Sequence, residues 1–229
     1  MNKSLVIVGH GPSLKGRKQG EQIDAADDVC RLKQGFRLAI DNPEDYGGRT
    51  DYLCSTLKTW NGYWTLRLKE YWGYQNFQNQ DRKMHVIQEH FGKTPIRTEP
   101  EAIRIWLARY RELADVRGDW QSGKGAYAKE GDEPWFSTGM GAIVIACAGL
   151  KPDVLELAGF DNLWAGEREG FKSVLRDETH MYPPHAWNVE RALIDEIAAT
   201  YGVTICPLRS HRLDRPAGTA MHAPESKPL

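Results

Sequence analysis

A short turn, Ser137-Thr138-Gly139, has the residue types that could hold an anion. It precedes the run Met140 to Ala148, which is apolar on nearly every face and predicts a buried helix. A helix N-terminus offers unpaired backbone N–H groups to a phosphate. The next run, Val154 to Ala158, predicts a short strand that leads into Gly159-Phe160-Asp161. Because ligands of open α/β sheets bind beyond the carboxyl ends of strands, this unit is a candidate site. An ordinary buried helix–strand unit has the same pattern, so both interpretations stay open.

A second candidate anion site follows the first strand-like run, Ser4 to Val8. Gly9 and Gly11 would let backbone amides approach an anion closely, as in phosphate-binding loops. Leu14 stands where the third glycine of a dinucleotide-binding fingerprint would lie, so a simple dinucleotide fold is less expected.

Further strands are predicted at Val29 to Lys33, which ends in the cations Arg31 and Lys33, and at Tyr52 to Ser55. Because each of the first three strands ends in polar residues, we expect an α/β sheet with its site along one edge. Near the end of the chain, a helix is predicted from Ala186 to Tyr201 and a last strand from Val203 to Cys206.

Residues 58–135 differ in composition, because they are rich in aromatic and charged side chains. They include one strand candidate, Met84 to Ile87, and one amphipathic helix, Glu99 to Ala114. The aromatic side chains could stack on sugars or bases, or they could form the core of a mostly helical insertion. We therefore predict one domain over residues 1–207 with an insertion at about 58–135. Gly166 to Thr179 is expected to be a polar loop, and residues 208–229 a flexible tail.

Composition excludes several classes of protein. The chain has 229 residues and a net charge of −1, so no overall charge directs it to nucleic acid or to an anionic membrane. No apolar run is long enough for a transmembrane segment, and no signal peptide is apparent. The four cysteines lack metal-site spacing and indicate free thiols of a reducing compartment, which predicts a cytoplasmic protein.

Several motifs occur together in one order. The N-terminal segment VIVGHGPSL is followed by Gly20-x-x-Ile23-Asp24-x-x-Asp27-x-Val29-x-Arg31 and by Gly48-Arg49-Thr50-Asp51. The Ser-Thr-Gly turn and a Gly-Phe pair come next, and His185 and Glu190 form an H-x4-E pattern at the start of the final helix. In this order the motifs resemble those of the sialyltransferases, both the eukaryotic-type family and the shorter bacterial enzymes, and indicate a divergent bacterial or phage-type member.

The resemblance implies a single Rossmann-like parallel sheet flanked by helices, a variant of the glycosyltransferase A type. It also implies metal-independent, inverting transfer of a sialic-acid-like or other keto-acid sugar from a nucleotide-sugar donor, with a CMP-linked donor favoured and no cofactor. The acceptor would be a hydroxyl of a glycan or glycoconjugate, with modified nucleic acid also open, and an oligomer is possible. No Asp-x-Asp pair is present, which argues against the usual metal clamp on a nucleotide diphosphate.

The resemblance assigns the general base to His185, whose imidazole would accept the proton of the acceptor hydroxyl near neutral pH. His180 and Tyr182 are candidate donors to the leaving phosphate, as is Lys33. The candidate donor-binding residues are Gly9, His10, Gly11, Ser13, Arg31, Lys33, Ser55, Ser137, Thr138, Gly139, Phe160 and Asp161.

The chain departs from the family's pattern at His10 and Lys33, where those families usually carry asparagines that touch the donor. The two basic groups could suit a more highly charged donor or a different nucleotide. After the strand at Val154 to Ala158, bacterial members have tyrosines, whereas this chain has Asn162-Leu163-Trp164. A non-catalytic or repurposed nucleotide-binding module on the same fold therefore remains the alternative.

Overall fold

The computed structural model describes residues 3–56, 68–74, 94–117, 136–164, 171–173, 176–180 and 187–208. At residues 56, 74, 115–117, 162, 164, 171–173, 176–180 and 187 it describes the backbone alone.

A seven-stranded sheet forms the centre of the molecule, and all of its paired strands are parallel. The predicted single parallel sheet is thus confirmed. The spatial order is β5-β4-β3-β2-β1-β6-β9. The strands are β1 (Ser4–Val8), β2 (Asp28–Leu32), β3 (Tyr52–Thr56), β4 (Glu70–Tyr74), β5 (Ile96–Arg97), β6 (Val154–Ala158) and β9 (Thr204–Pro207).

Helices cover both faces of the sheet, as the apolar strands require. Along β1, Leu5 and Ile7 belong to one core, and Val6 and Val8 belong to the other, because successive side chains point to opposite faces. The helices are α1 (Gly20–Asp24), α2 (Gly35–Asp41), α3 (Pro43–Tyr46), α4 (Pro100–Arg117), α5 (Thr138–Ile145), α6 (Asp161–Trp164) and α7 (Trp187–Tyr201).

The larger core joins α4, α5 and α7 to one face, and the smaller core joins α1 and α3 to the other. Helix α5 is buried along its whole length and continues into a wider π-helical turn, Ala146–Leu150, so the predicted buried helix is confirmed.

The region predicted as a mostly helical insertion contributes two strands to the main sheet. β4 pairs with β3, and β5 pairs with β4, so this region continues the sheet instead of leaving it. Tyr71 and Trp72 of β4 are buried, and the Trp72 ring stacks on Tyr52 with ring centroids 4.9 Å apart. For these two aromatic residues the interpretation as core is correct. The strand candidate Met84 to Ile87 and the predicted tail beyond 208 lie outside the described residues.

The polar loop predicted from Gly166 to Thr179 contains an antiparallel hairpin, and that prediction was wrong in part. Strands β7 (Phe171–Ser173) and β8 (Arg176–His180) pair with each other and not with the main sheet. Cross-strand pairing of so short a hairpin leaves no strong alternation in the sequence, which is why the pattern was missed.

All four cysteines are free, as predicted. Cys30, Cys54 and Cys147 are buried and Cys206 is half-buried. Burial raises the pKa of the Cys147 thiol to about 12, so this group is inert as a nucleophile near neutral pH. Among the described helices, none has the length and apolar character needed to span a membrane.

Candidate functional site

The direction in which successive strands are added to the sheet reverses between β1 and β6. These two strands pair in parallel from Ser4 and Val154 to Val8 and Ala158. β1 connects to β2 on one side, whereas β6 connects to β9 on the other. A crevice forms at the carboxyl ends of strands where the direction of winding reverses, and ligands of open α/β sheets bind there. The two loops singled out in the sequence, Gly9 to Gly11 and Gly159 to Asp161, follow these two strands.

The two loops are hydrogen-bonded to each other. The Gly11 N–H donates to the Gly159 carbonyl at 2.8 Å, and the Ser13 N–H donates to the Asp161 carboxylate at 2.8 Å. A Cβ on Gly11 would lie 2.6 Å from the Asp161 carboxyl carbon and 2.6 Å from the Gly159 oxygen, closer than real contacts allow. Close approach of the two loops therefore explains Gly11. The Asp161 carboxylate, predicted to face a ligand, holds the β1 loop in place.

Phe160 lies between the β1 loop and helix α5. Its half-buried ring would come within 3.2 Å of a Cβ on Gly9 and within 2.7 Å of a Cβ on Gly139. Because Gly9 and Gly139 have no side chains, the Phe160 ring fits between them at the switch point of the sheet. Of the predicted donor-binding residues, the structure thus brings Gly9, Gly139 and Phe160 together.

The N-terminus of α5 lies above the carboxyl ends of several strands. The Thr138 carbonyl accepts a weak bond from the Cys54 thiol of β3 at 4.0 Å, and a Cβ on Gly139 would contact Leu32 of β2 at 3.5 Å. Ser137 is the N-cap, since its hydroxyl accepts from the Met140 N–H at 3.1 Å. The turn lies where the sequence predicted it, but the Ser137 hydroxyl caps the N-terminus of α5.

Glu190 is the residue of this region to which sequence reasoning gave no role. It is 0% exposed, and its carboxylate accepts from both the backbone N–H and the hydroxyl of Ser137, the latter at 2.8 Å. Burial raises the pKa of Glu190 to about 7, although the bonds from Ser137 lower it. The carboxylate joins the first turn of α7 to the N-cap of α5. The H-x4-E spacing was the available signal, and the contact itself spans 53 positions.

His10 and Lys33 lie at the carboxyl ends of the neighbouring strands β1 and β2, as predicted. The His10 Nε2 donates to the Leu32 carbonyl at 2.7 Å, which requires the hydrogen on that nitrogen because a carbonyl only accepts. Lys33 is half-buried and left-handed at φ 47°, and its N–H donates to the Cys54 carbonyl at 2.8 Å. The left-handed backbone at Lys33 changes the direction of the chain just after β2 ends.

Arg31 and Ser55, both predicted to bind the donor, do not reach the surface. Both are 0% exposed. The Arg31 guanidinium donates to the Arg49 carbonyl at 2.8 Å and to the Gly47 carbonyl at 2.9 Å. Burial lowers the pKa of Arg31 to about 10, with Asp24 opposing the change. Alternation along the strand turns these side chains into the interior, which the sequence alone did not reveal.

The early motifs of the resemblance form one structural network. The Asp24 carboxylate accepts from the Gly48 N–H at 2.7 Å and from the Arg49 N–H at 3.0 Å. The Arg49 guanidinium donates to the Asp24 carbonyl at 2.7 Å and to the Asp51 carboxylate at 2.8 Å. These residues fasten the chain between β2 and β3, so their spacing reflects the fold.

The predicted catalytic residues lie in the segment between β6 and α7. His180 ends β8 and pairs with Phe171, and His185 and Tyr182 lie outside the described residues. Helix α7 leads into β9, which is parallel to β6, so α7 begins at the carboxyl edge of the sheet. In the sequence His185 stands two positions before Trp187, where α7 begins. No group of three or more His, Cys, Asp or Glu in the described ranges is arranged to hold a metal ion.

The chain matches no protein-family model and no curated protein. Two crystal structures of a mammalian sialyltransferase are similar to it. One, in complex with Gal-beta-1-3GalNAc-ortho-nitrophenol, has a TM-score of 0.54 and 17% identity over 89% of this chain and 69% of that chain. The other has a TM-score of 0.56 and 16% identity over 89% of this chain and 68% of that chain. The predicted resemblance is thus confirmed at the level of the fold.

Proposed function

We propose that the chain is an inverting glycosyltransferase that takes a CMP-linked keto-acid sugar as donor. The observation that carries this proposal is the convergence of the β1 loop, the Phe160 turn and the N-terminus of α5 at the switch point, in a fold shared with a mammalian sialyltransferase. The positive end of the α5 helix dipole and the neighbouring Lys33 suit an anionic donor.

In the proposed reaction His185 accepts the proton of the acceptor hydroxyl. The oxygen attacks the anomeric carbon on the face opposite the nucleotide, a new glycosidic bond forms, and CMP leaves with the electrons of the broken bond. Backbone and side-chain donors near the phosphate, with His180 and Tyr182 as candidates, stabilise the departing monophosphate without a metal. Glu190 contributes by holding the first turn of α7 against Ser137.

Nucleotide binding can be tested by thermal shift with CMP, UMP, UDP and GDP. A ligand present at about 100-fold its Kd adds about 2.7 kcal/mol to stability, which for a chain of this size raises the Tm by roughly 5–10 °C. We expect CMP to give the largest shift. The absence of any nucleotide effect would contradict the donor site, and binding without transfer would favour the non-catalytic module.

The role of His185 can be tested by His185→Ala with the nucleotide sugar that transfers best. We expect kcat to fall by roughly 10²–10⁴ while the affinity for CMP changes little, because a general base acts on the acceptor and not on the nucleotide. An unchanged Tm with bound CMP would serve as the control for folding. Turnover near the wild-type level would remove His185 from the mechanism.

A further inference from the structure

A cluster of cations lies on the loop that follows the first strand of the site. Lys15, Arg17 and Lys18 are all exposed, and residues 9–19 contain no carboxylate. The whole chain has a net charge of −1, so this local excess contrasts with the balanced remainder. We call Lys15 to Lys18 the basic loop. It comes directly after the short 3-10 helix Pro12–Leu14, whose Ser13 bonds to Asp161 at the switch point.

A buried carboxylate holds the basic loop in one conformation. Asp45 of α3 is 5% exposed and accepts from the Gly16 N–H at 2.6 Å and from the Lys18 N–H at 2.9 Å. Asn42 donates to the same carboxylate at 2.8 Å. Burial raises the pKa of Asp45, but these three hydrogen bonds and the nearby Lys18 charge outweigh it and leave the pKa below its ordinary value. Asp45 is therefore ionised near neutral pH and fixes the loop.

The loop conformation is one that side chains rarely adopt. Gly16 has φ 75° and Lys18 has φ 52°, both in the left-handed region. A left-handed residue other than glycine costs roughly 1–2 kcal/mol, and such strain is concentrated at functional sites.

The cations of the basic loop are available to an external anion. In the described part of the chain, the side chains of Lys15, Arg17 and Lys18 form no salt bridge, and no atom lies within 4 Å of a Cβ built on Gly16. Two backbone N–H groups of the loop are already taken by Asp45, so an outside anion would bind through the side chains. Exposed carboxylates lie on the flanking helices at Glu21, Asp41 and Glu44, whereas the loop itself carries three exposed cations.

The neighbouring loop extends the positive surface. β1 and β2 pair in parallel, so the segments after them lie side by side. The segment after β2 carries Lys33, which is half-buried, and Arg37, which is exposed. The segments after β1 and β2 thus both carry cations next to the switch point.

We propose that the basic loop binds the acidic part of a saccharide acceptor, through carboxylate or phosphate groups that lie beyond the accepting hydroxyl. The proposal rests on the proposed glycosyltransferase function and adds the class of its acceptor. Residues 12–19 contain no aromatic residue on which a base could stack, and Leu14 is 2% exposed and cannot insert into a membrane. An acidic saccharide needs neither contact, which is why we favour it.

A calorimetric titration with tetragalacturonate, and with neutral maltotetraose for comparison, tests the proposal. The double variant Lys15→Gln/Arg17→Gln removes one lysine and one arginine from the loop. Its matched control, Arg104→Gln/Lys151→Gln, also removes one arginine and one lysine, at surface positions outside the basic loop where both side chains are exposed. We expect the loop variant to bind tetragalacturonate roughly two- to thirtyfold more weakly, because it loses two exposed ion pairs that each contribute about 0.2–1 kcal/mol. The control variant should bind as the wild type does.

Several outcomes would overturn the proposal: no binding of tetragalacturonate by the wild type at low salt, equal loss in both double variants, or equally tight binding of maltotetraose. Tighter binding of a single-stranded oligonucleotide or of anionic vesicles through the same loop would also overturn it, because the partner would be of another class. The titration needs neither donor nor turnover. Loop-dependent saccharide binding without any nucleotide effect would therefore reject the proposed function alone, and transfer to neutral acceptors alone would reject this inference.

Discussion

Glu190 shows how one buried carboxylate can connect two helices of the candidate site. Its side chain is completely buried, yet it accepts two hydrogen bonds from Ser137, so both of its oxygens have a partner. A charge in the interior is unfavourable unless it is paired or hydrogen-bonded. In this protein the buried carboxylate lies where the first turn of α7 contacts the N-cap of α5. Such a group should make stability depend on pH.

The folded-state pKa of Glu190 is about 7, against an ordinary value of 4.5. Between these values the unfolded chain has released the proton and the folded chain still holds it, so rising pH favours unfolding. The contribution to stability is complete below about pH 4.5 and lost above pH 7, and its size is on the order of 3 kcal/mol. We expect the free energy of unfolding of the wild type, relative to Glu190→Gln, to fall between about pH 5 and pH 7.

Denaturant unfolding at several pH values in this range measures the difference. Glu196→Gln is a matched control, since it makes the same change on the same helix. A bond from Arg109 holds the pKa of Glu196 below its ordinary value, so Glu196 is ionised in both states throughout the range. Parallel profiles for wild type and Glu190→Gln would show that Glu190 titrates normally.

Lys33 and His10 are the two departures from the sialyltransferase pattern, so they test whether this chain binds the CMP-linked donor that the resemblance implies. If the Lys33 ammonium binds donor phosphate, Lys33→Asn should weaken nucleotide binding by roughly 1.5–3 kcal/mol, with a smaller loss at high salt. Asparagine tolerates the left-handed backbone at φ 47°, so this substitution tests the side chain and not the turn. His10→Asn should be mild for a CMP-linked donor. Calorimetric titration of both variants with CMP and UDP gives the answer, and unchanged affinities would place both residues outside the pocket.

At the scale of elements, the site depends on the approach of two loops at the ends of β1 and β6. We expect Gly11→Ala to destabilise the protein by about 1–3 kcal/mol, because the new Cβ would overlap the Asp161 carboxyl group and the Gly159 carbonyl. Nucleotide binding should weaken as well, because Ser13 and Asp161 would separate.

Gly48→Ala is the matched control for this change. A Cβ at Gly48 would lie 3.7 Å from the Asp24 carboxylate, an ordinary contact, and the Gly48 N–H bond to Asp24 would be kept. Thermal unfolding of both variants and CMP titration are the measurements. Equal stability of the two variants would mean that the β1 loop can move away from β6 without cost.

Most elements could be predicted from local pattern. β1 and β6 match the predicted strands at both ends, and α7 begins one residue later than predicted. Buried parallel strands are short apolar runs, and such runs are visible in any sequence. β4 was missed because Glu70 to Tyr74 reads as part of an aromatic, charged segment. Its place beside β3 depends on pairing between distant parts of the chain.

At the scale of the whole molecule, the remaining prediction concerns metal. A monophosphate leaving group needs only protein donors, whereas a diphosphate commonly needs a divalent cation to neutralise its charge. We therefore expect transfer activity to persist in excess EDTA. Loss of activity that Mg²⁺ or Mn²⁺ restores would indicate a diphosphate donor and contradict the CMP-linked donor.

By itself, the sequence determined the class of the fold and the location of the turns along the chain. Apolar runs separated by glycines and capping residues are local features, and their order in the chain implies a parallel sheet with polar residues at one edge. The same local features placed Gly9, Gly11 and the Ser-Thr-Gly turn at the ends of elements, where the structure has them.

Only the tertiary structure decided which polar side chains face outward and which partners they have. Arg31 and Lys33 are two residues apart, yet Arg31 is fully buried and Lys33 is half-buried, because the strand ends between them and the backbone turns left-handed. The Glu190 contact with Ser137 and the Asp45 contacts with the basic loop likewise join distant positions. Burial and hydrogen bonding depend on the packing of whole elements, which local sequence pattern does not determine.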